Sequence, residues 1–280
     1  MERRKGVFKM RILRLYAPSL IGDHTLCYIH RNSAGKSCVN EVPIRISYSC
    51  AGEDLPDEAA KSMTIVLPQG TTFAEGDFLS VNNGDALLSW NEEIKSFDII
   101  KNGFFSVSAH AEKWHPLTAG VLTVSDKGSR NERVDTAGPE LEEHITALGS
   151  VVKYRKIVPD DKELIAQTVL EWASEGCSVI LTTGGTGLSP RDVTPEALLS
   201  IADKVVPGFG EMMRMKTLAY TPRAFLTRGI AVIVKSSLVI AFPGSRRGAK
   251  QCFEAIEQGL RHGAETLLGL DGECGNEHKH

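Results

Sequence analysis

One stretch of the sequence, residues 178–195, constrains the fold more than any other. It begins with residues suited to a buried strand, 179–182, and passes directly into a glycine-rich string at 184–187. The pair Thr194-Pro195 follows, and Thr-Pro is typical of a helix N-cap with proline at the first helical position. The stretch therefore predicts a strand, a loop and a helix in succession, which is the unit that builds parallel α/β sheets.

The glycines in this stretch also favour a binding function. Residues without a Cβ can adopt positive φ, and their N–H groups can then approach an anion closely. The predicted helix start would favour negative charge, and Asp192 could hold a divalent cation on bound phosphates. Taken alone, the Gly184-Gly185 pair indicates tight packing at a turn rather than binding. The string matches neither the GxGxxG dinucleotide motif nor a phosphate-binding P-loop.

Composition sets limits on the class of protein. With 280 residues, 42% hydrophobic and 24% charged, the chain suits a soluble globular protein of two modest domains. A formal net charge of -3 gives no general reason to expect nucleic acid or an anionic membrane as a partner. Six scattered cysteines without a CxxC pair indicate reduced thiols and a cytoplasmic location. The N-terminus does not resemble a secretory signal, and no apolar run suits a membrane-spanning helix.

The first part of the chain, residues 1–112, predicts a β-rich accessory domain whose role the sequence leaves open. Short alternating segments such as 42–48 are separated by turn signals, among them Asn102-Gly103. His24, Cys27 and His30 are candidate metal ligands, but spacing by three on a strand alternates faces, and a buried cysteine is more often a small hydrophobe. Residues 109–117 predict a linker.

Residues 113–280 predict an α/β domain. Strands at 120–124, 151–158, 178–183, 230–235 and 237–242 alternate with helices that begin near 135, 162, 195, 208 and 246. This order predicts a mostly parallel three-layer sheet domain, preceded by the smaller β-rich domain. Ligands of such sheets bind at the carboxyl ends of the strands. The loops expected there are 125–129, 159–161, 184–192 and 243–245. A polar tail with Cys274, His278 and His280 predicts a frayed end rather than a metal site.

The residues of these loops favour one kind of chemistry. Asp160 and Asp192 follow separate strands, while no His, Cys or Lys accompanies them as a nucleophile. This set suits metal-assisted phosphoryl or nucleotidyl transfer between bound substrates better than hydrolysis by a triad. The alternative is that either aspartate merely caps a helix, since Pro-Asp-Asp is good capping chemistry in any protein.

Five segments in order resemble the molybdopterin adenylyltransferase family of molybdenum-cofactor biosynthesis: GVLTVSDKGS, IVPDD, VILTTGGTGLSPRDVTPEA, PGFGEMMR and FPGS. The resemblance covers about residues 119–268. It implies Mg²⁺-dependent transfer of AMP from ATP to the phosphate of molybdopterin, with release of pyrophosphate. It also implies a cytoplasmic homotrimer that passes its product to a molybdenum insertase. Met212, Met213 and Met215 suit packing or a subunit contact.

The resemblance also assigns residues by motif. Asp160 and Asp192 would be the catalytic and metal-binding pair. The residues that would hold the nucleotide or the pterin are Ser125, Asp126, Gly184, Gly185, Thr186, Gly187, Gly208, Glu211, Pro243, Gly244 and Ser245. Related domains occur in molybdenum insertases and in a competence-associated nucleotide-processing family, so the fold does not fix the reaction. The presence of both aspartates favours the adenylyltransferase.

Two further hypotheses belong to other classes of protein. The chain could bind or sense molybdopterin or its nucleotide without turnover, with the β-domain as the output module. Alternatively, the first domain could handle a metal.

Overall fold

The computed structural model describes residues 8–16, 26–40, 42–53, 62–82, 84–107 and 109–270. Contacts divide the chain into two compact units, Met1–Pro116 and Leu117–His280. His24, Cys274, His278 and His280 lie outside the described residues, so the structure says nothing of them as metal ligands.

Two sheets form the first unit. The larger has the order β1-β12-β8-β9-β10-β6-β7-β2 and the smaller β11-β3-β4-β5, and neighbours are antiparallel except for β6 and β7. One hydrophobic core takes residues from both sheets, including Ile29, Ile65 and Phe105. The described strands are β1 Phe8–Arg11, β2 Arg14–Tyr16, β3 Leu26–Arg31, β4 Ser37–Val39, β5 Val42–Pro43, β6 Arg45–Cys50, β7 Ser62–Leu67, β8 Phe78–Val81, β9 Ala86–Asn91, β10 Ser96–Lys101, β11 Gly103–Ser106 and β12 His110–Trp114.

The prediction that residues 109–117 form a linker is wrong. Strand β12 occupies most of this segment and lies between β1 and β8. Ala111 and Trp114 are buried, and the Trp114 ring packs with Phe78 and Leu87. Residues 110–114 are therefore an integral strand of the first unit.

The second unit contains one six-stranded sheet of order β14-β13-β15-β18-β17-β16. The four strands β14, β13, β15 and β18 are parallel. Strand β17 runs antiparallel to β18, and β16 runs antiparallel to β17. The elements are β13 Leu117–Val124, α1 Asp126–Ser129, α2 Ala137–Thr146, β14 Ser150–Val158, α3 Lys162–Ser174, β15 Val179–Thr183, α4 Thr194–Leu199, β16 Lys204–Val205, α5 Pro207–Thr217, a 3₁₀ helix Pro222–Leu226, β17 Ala231–Val234, β18 Ser237–Phe242 and α6 Arg246–Leu267.

Helices cover both faces of this sheet. On one face, Val121, Leu181 and Ile240 pack against α2, α5 and α6. On the other face, Leu122 and Ile180 pack against α3 and α4. Because both faces are covered, the central strands are apolar almost throughout. The predicted class, a mostly parallel three-layer α/β domain preceded by a β-rich domain, is confirmed.

The parallel register brings four strand ends to one edge of the sheet. Val124 pairs with Val158, Thr123 with Thr183, and Thr183 with Phe242. The loops that follow β13, β14, β15 and β18 therefore leave the sheet side by side. These loops carry most of the residues singled out by the sequence.

Some helix boundaries differ from the predicted ones. Helix α4 includes Thr194, whose hydroxyl donates to the Gly184 carbonyl at 2.8 Å, so the prediction that Thr194 is the N-cap is wrong. Helices α4 and α5 begin at Thr194 and Pro207, each one residue before the predicted start, and end at Leu199 and Thr217. None of the helices that the structure describes is long and apolar enough to span a membrane.

Candidate functional site

A cavity of about 330 Å³ lies at the edge where the parallel strands end. It is built from five loops and helix starts of the second unit. Its lining residues are Thr123, Val124, Ser125, Gly128, Arg133, Val134, Asp135, Thr136, Ala137, Asp160, Thr183, Gly184, Gly185, Asp192, Gly244 and Ser245. Seven of the thirteen residues that the sequence singled out are among them.

Asp126 and Asp160 join the ends of β13 and β14 by two reciprocal hydrogen bonds. The Asp126 N–H donates to Asp160 Oδ2 at 2.9 Å, and the Asp160 N–H donates to Asp126 Oδ1 at 3.1 Å. Arg191 completes the group, since its guanidinium donates twice to Asp126 at 2.8 Å. Asp126 therefore does not line the cavity itself but binds Asp160, which does.

The two carboxylates of this pair differ in their environment. Burial raises the pKa of Asp160, and the negative charges of Asp126 and Asp192 raise it further, against the hydrogen bond from the Asp126 N–H. The hydrogen bond from Arg191 lowers the pKa of Asp126. Asp160 is therefore a half-buried carboxylate beside other carboxylates, a setting that a bound cation would relieve.

Asp160 is not the cap of helix α3. Asp161 fills that role, because its Oδ1 accepts from the Leu164 N–H at 2.8 Å. Asp192 does not cap α4 either: its carboxylate accepts from the Ser189 N–H at 2.9 Å within its own loop, and Val193 is the N-cap residue. Of the two adjacent aspartates, Asp161 supports the helix, which leaves the Asp160 side chain to the cavity.

The glycine loop reaches the end of β13 because it lacks side chains there. Gly184 has φ of 103°, and a Cβ on it would lie 2.1 Å from the Val124 carbonyl oxygen. Gly185 has φ of 62°, and its Cβ would lie 2.3 Å from Thr194 Oγ1 and 3.2 Å from Asp160 Oδ1. A Cβ on Gly244 would lie 3.0 Å from the Gly184 Cα. Only glycine allows these backbones to meet around the two aspartates.

The donor set fits a magnesium ion. Mg²⁺ binds oxygen ligands and commonly takes only one or two carboxylates from the protein, with phosphates and water completing the shell. Asp160 and Asp192 provide two carboxylates beside the glycine loop. The described residues contain no group of three or more His, Cys, Asp or Glu that could hold a metal by itself. The site therefore suits a cation that arrives with a phosphorylated ligand.

Two long helix starts and one cation favour an anionic ligand. The cavity is lined by Thr136 and Ala137 at the start of α2 and by Ser245 at the start of α6. Helix N-termini carry partial positive charge and favour anions. Arg133 adds a full positive charge at the wall of the cavity.

Asp135 is a functional candidate that the sequence analysis did not assign. Its Oδ1 accepts from the Ala137 and Gly138 N–H groups at 3.1 and 2.9 Å, and its Oδ2 accepts from the Thr123 hydroxyl at 2.7 Å. It fixes the start of α2 against the end of β13 while lining the cavity. Its position just before a helical pattern was the available signal.

Arg228 is a second residue that sequence reasoning missed. Its backbone N–H donates to the Thr186 carbonyl at 2.9 Å, and its guanidinium donates to the carbonyls of Gly187 and Asp192 at 2.7 and 2.6 Å. It also pairs with Glu196 on α4. Arg228 therefore holds both ends of the loop that carries Asp192. A lone arginine between Thr227 and Gly229 gives no local signal of such a role.

The remaining predicted site residues lie outside the lining of the cavity. Thr186 is buried, and the Pro243 carbonyl accepts a hydrogen bond from the Thr183 hydroxyl at 2.8 Å. A Cβ on Gly187 would lie 2.9 Å from Asp192 Oδ2. Gly208 and Glu211 are exposed on α5. Ser125 and Ser245 line the cavity and also cap α1 and α6 through their hydroxyl oxygens.

In the first unit, the two candidate metal ligands that the structure describes, Cys27 and His30, do not converge. Cys27 is buried in the core, whereas His30 is partly exposed on the opposite face of β3 and stacks on Tyr28. Burial raises the pKa of the Cys27 thiol. Cys27 is a small core residue, as its strand position indicated.

The fold and the site define an α/β protein that presents two aspartates and a glycine loop to an anion at its parallel strand ends. The family model described as "Probable molybdopterin binding domain" matches residues 120–262, and the chain belongs to that family. This confirms the resemblance found over about residues 119–268.

Curated relatives agree. The chain is 37% identical over 153 residues to the molybdopterin adenylyltransferase of Helicobacter pylori strain 26695, a match covering 54% of this chain and 87% of the relative. It is 40% identical over 144 residues to the Escherichia coli K12 enzyme of the same name, a match covering 50% of this chain and 74% of that enzyme. Such relatives are nucleotidyltransferases, and they place the chain among the enzymes of molybdenum-cofactor biosynthesis.

Solved structures show the same fold. The molybdopterin biosynthesis enzyme MoaB from Thermus thermophilus is similar with a TM-score of 0.53 and 42% identity, over 55% of this chain and 97% of that one. MoaB from Pyrococcus furiosus, described as a tungsten cofactor synthesizing protein, is similar with a TM-score of 0.52 and 36% identity, over 55% of this chain and 98% of that one. These matches cover about half of this chain.

Proposed function

We propose that the chain is a molybdopterin adenylyltransferase that transfers AMP from ATP to the terminal phosphate of molybdopterin and releases pyrophosphate. One observation carries the proposal most directly: Asp160 and Asp192 lie on separate loops beside a glycine backbone whose close approach a side chain would block. The names and identity of the relatives support the same reaction.

Each part of the site has a task in this reaction. Asp160 and Asp192 would hold Mg²⁺, which neutralises charge on the triphosphate when it is bound. The glycine-loop amides and the start of α6 orient phosphate groups, and Arg133 adds positive charge. An oxygen of the molybdopterin phosphate attacks the α-phosphorus of ATP, and the bond to pyrophosphate breaks. Because the nucleophile belongs to the substrate, the protein needs only to position both reactants.

The proposal is tested by steady-state pyrophosphate release with ATP, Mg²⁺ and molybdopterin. Asp160→Asn and Asp192→Asn should each lower kcat/KM on the order of 100-fold, as expected for loss of a group that stabilises transition-state charge. Asp161→Asn is the matched control: it is adjacent to Asp160 but caps α3, and asparagine caps as well as aspartate does. Wild-type turnover in the first two variants would contradict the proposal.

A second function is favoured by the extra unit. The match to the family covers residues 120–262 and leaves the β-rich unit outside it. A protein that binds or senses molybdopterin or its nucleotide could use this unit as an output module. Saturable binding without turnover, under conditions in which a bacterial adenylyltransferase is active, would support this function instead.

The proposed enzyme acts as a cytoplasmic homotrimer and passes its adenylylated product to a molybdenum insertase. Support for self-association comes from exposed apolar side chains on α5, the 3₁₀ helix and the turn between them, here called the α5 surface. It consists of Met212, Met215, Leu218, Tyr220, Phe225 and Leu226, each at least 36% exposed. Apolar groups gathered in this way are typical of protein–protein contacts.

A further inference from the structure

The first unit contains a cavity of about 480 Å³, larger than the one in the second unit. It lies outside the part of the chain that matches the molybdopterin-binding family. Its described lining residues come from β6 and the turn after it, β7, the 71–73 loop and the hairpin of β9 and β10. The volume is within the range of small-molecule sites, roughly 300–1,000 Å³.

Aromatic side chains form one wall of this cavity. The Tyr48 ring meets the rings of Phe73 and Trp90 edge to face, with centroids 5.0 and 4.9 Å apart. Two polar contacts hold the wall in place: the Tyr48 hydroxyl accepts from the Phe73 N–H at 3.4 Å, and the Trp90 indole N–H donates to Glu92 at 2.6 Å. A fixed aromatic wall suits a planar ring, which would pack in the same edge-to-face or offset manner.

The charges at the rim are not equivalent. Glu53 accepts hydrogen bonds from the Cys50 N–H at 2.8 Å and the Ser49 hydroxyl at 3.4 Å. Glu92 is bound by the Trp90 indole and by Lys95. Both carboxylates are thus engaged, and so is Lys95. Arg45 has no carboxylate within ion-pair distance among the described residues that line the cavity. The available charge is therefore positive.

We propose that this cavity binds a small planar aromatic molecule that carries one anionic group. The ring would lie against Tyr48, Phe73 and Trp90, and the anion would contact the guanidinium of Arg45. Arginine recognises carboxylate and phosphate alike through paired N–H donors, so the shared chemistry is an aromatic anion. Ser47, two positions from Arg45 on the same strand, also lines the cavity, and its hydroxyl is hydrogen-bonded to the Thr64 hydroxyl at 3.2 Å.

The test uses the full-length protein and calorimetric titration with three naphthalene probes. They are naphthoate, naphthyl phosphate and the uncharged naphthamide. We expect saturable binding of at least one anionic probe, about tenfold tighter than the amide, as a charged hydrogen bond would give. Tighter binding of the phosphate would identify a phosphorylated ligand, and tighter binding of the carboxylate a carboxylic acid; either result supports the proposal.

Two variants locate the binding. Arg45→Gln should reduce the affinity of the anionic probe to that of the amide, whereas Lys95→Gln, a rim cation already paired with Glu92, should leave it unchanged. Both side chains are exposed, so circular dichroism should show intact folding. Equal affinity in wild type and Arg45→Gln, no saturation by any probe at about 1 mM, or loss of binding in Asp192→Asn would each overturn the proposal. The last result would place the probe in the second unit.

Discussion

Arg228 shows how much of the site depends on a residue distant in sequence. It lies 41 positions after Gly187 and 36 after Asp192, yet its guanidinium binds the carbonyls of both. Within the loop between them Ser189 and Asp192 bind each other, and Arg191 binds Asp126 at the end of β13. Arg228 therefore acts as a positioning residue for Asp192.

Substitution of Arg228 should impair catalysis more than folding. Arg228→Gln removes the charge that pairs with Glu196 and the guanidinium N–H donors that bind the carbonyls of Gly187 and Asp192. We expect kcat/KM to fall roughly 10- to 100-fold, the range typical of groups that orient a metal ligand. The loss should lie mainly in kcat, with a higher Mg²⁺ requirement.

Two comparisons separate this effect from a general loss of structure. Arg228→Lys keeps the charge but not the several N–H donors of the planar guanidinium, so it should restore only part of the activity. Arg223→Gln, an exposed arginine in the neighbouring 3₁₀ helix, should behave as wild type. An unchanged Mg²⁺ dependence in Arg228→Gln would show that the residue does not act through Asp192.

At the level of elements, the β15 strand and its glycine loop could be predicted because their signals are local. A continuous apolar run predicts the strand, and glycines predict a turn with positive φ. The role of Thr194 could not be predicted in this way. Its hydroxyl binds the Gly184 carbonyl ten residues earlier, and this tertiary contact competes with the capping that a Thr-Pro pair indicates.

Gly184→Ala tests the close approach of the glycine loop to β13. An added Cβ would meet the Val124 carbonyl, and the positive φ is itself unfavourable for alanine. We expect a loss in unfolding free energy of about 2 kcal/mol or more, together with loss of activity. Chemical denaturation followed by circular dichroism measures the loss in unfolding free energy.

Gly208→Ala is the matched glycine substitution. A Cβ at Gly208, in the first turn of α5, would meet no atom within 4 Å. Alanine there should leave stability unchanged or slightly higher, because it is the better helix former. If Gly184→Ala were as stable as Gly208→Ala, the description of the loop as tightly packed on β13 would be wrong.

Helices α2 and α6 are joined by one buried carboxylate, which should make stability depend on pH. The hydrogen bond from Arg246 lowers the pKa of Glu140 below its ordinary value near 4.5; Lys250 and His144 also lower it, while burial opposes them. A lowered folded pKa means that this stabilisation is present above the ordinary value. It is lost as pH falls through the lowered value.

The matching experiment compares wild type with Glu140→Gln by urea denaturation between pH 7 and about pH 3. Glu140→Gln should be less stable at neutral pH by on the order of 1 kcal/mol, since its cationic partners are largely exposed. The difference in unfolding free energy between wild type and Glu140→Gln should shrink as the pH falls below the ordinary pKa of Glu140. Glu143→Gln, exposed on the same helix, should follow wild type throughout. A constant difference across the pH range would rule out this charge effect.

For the whole molecule, predictability differs between the two units. The second unit follows from the sequence because its central strands β13, β15 and β18 are buried and largely apolar and its helices have one apolar face. The first unit is harder, since β12 carries the mixed run His110–Trp114 and pairs with β1, about a hundred residues away in sequence. Its cavity joins strands and loops that are also far apart in sequence, so no local motif predicts it.

Self-association through the α5 surface can be tested by placing charge on its exposed apolar residues. Met215→Glu and Phe225→Glu place charge on residues that are 59% and 64% exposed, so they should fold normally but reduce assembly. Light scattering coupled to size-exclusion chromatography should show a trimeric mass for wild type and a smaller mass for the variants. Leu199→Glu, at 50% exposure on α4, is the control. A monomeric wild type would contradict the proposed homotrimer.

Adenylyl transfer and phosphoryl transfer differ in which phosphorus atom of ATP reaches the pterin. Purified protein is incubated with Mg²⁺, molybdopterin and ATP labelled at either the α- or the γ-phosphorus, and the pterin product is isolated. Adenylyl transfer predicts that the α label enters the pterin product and the γ label appears in pyrophosphate. Entry of the γ label, or tight pterin binding with neither label transferred, would contradict the account.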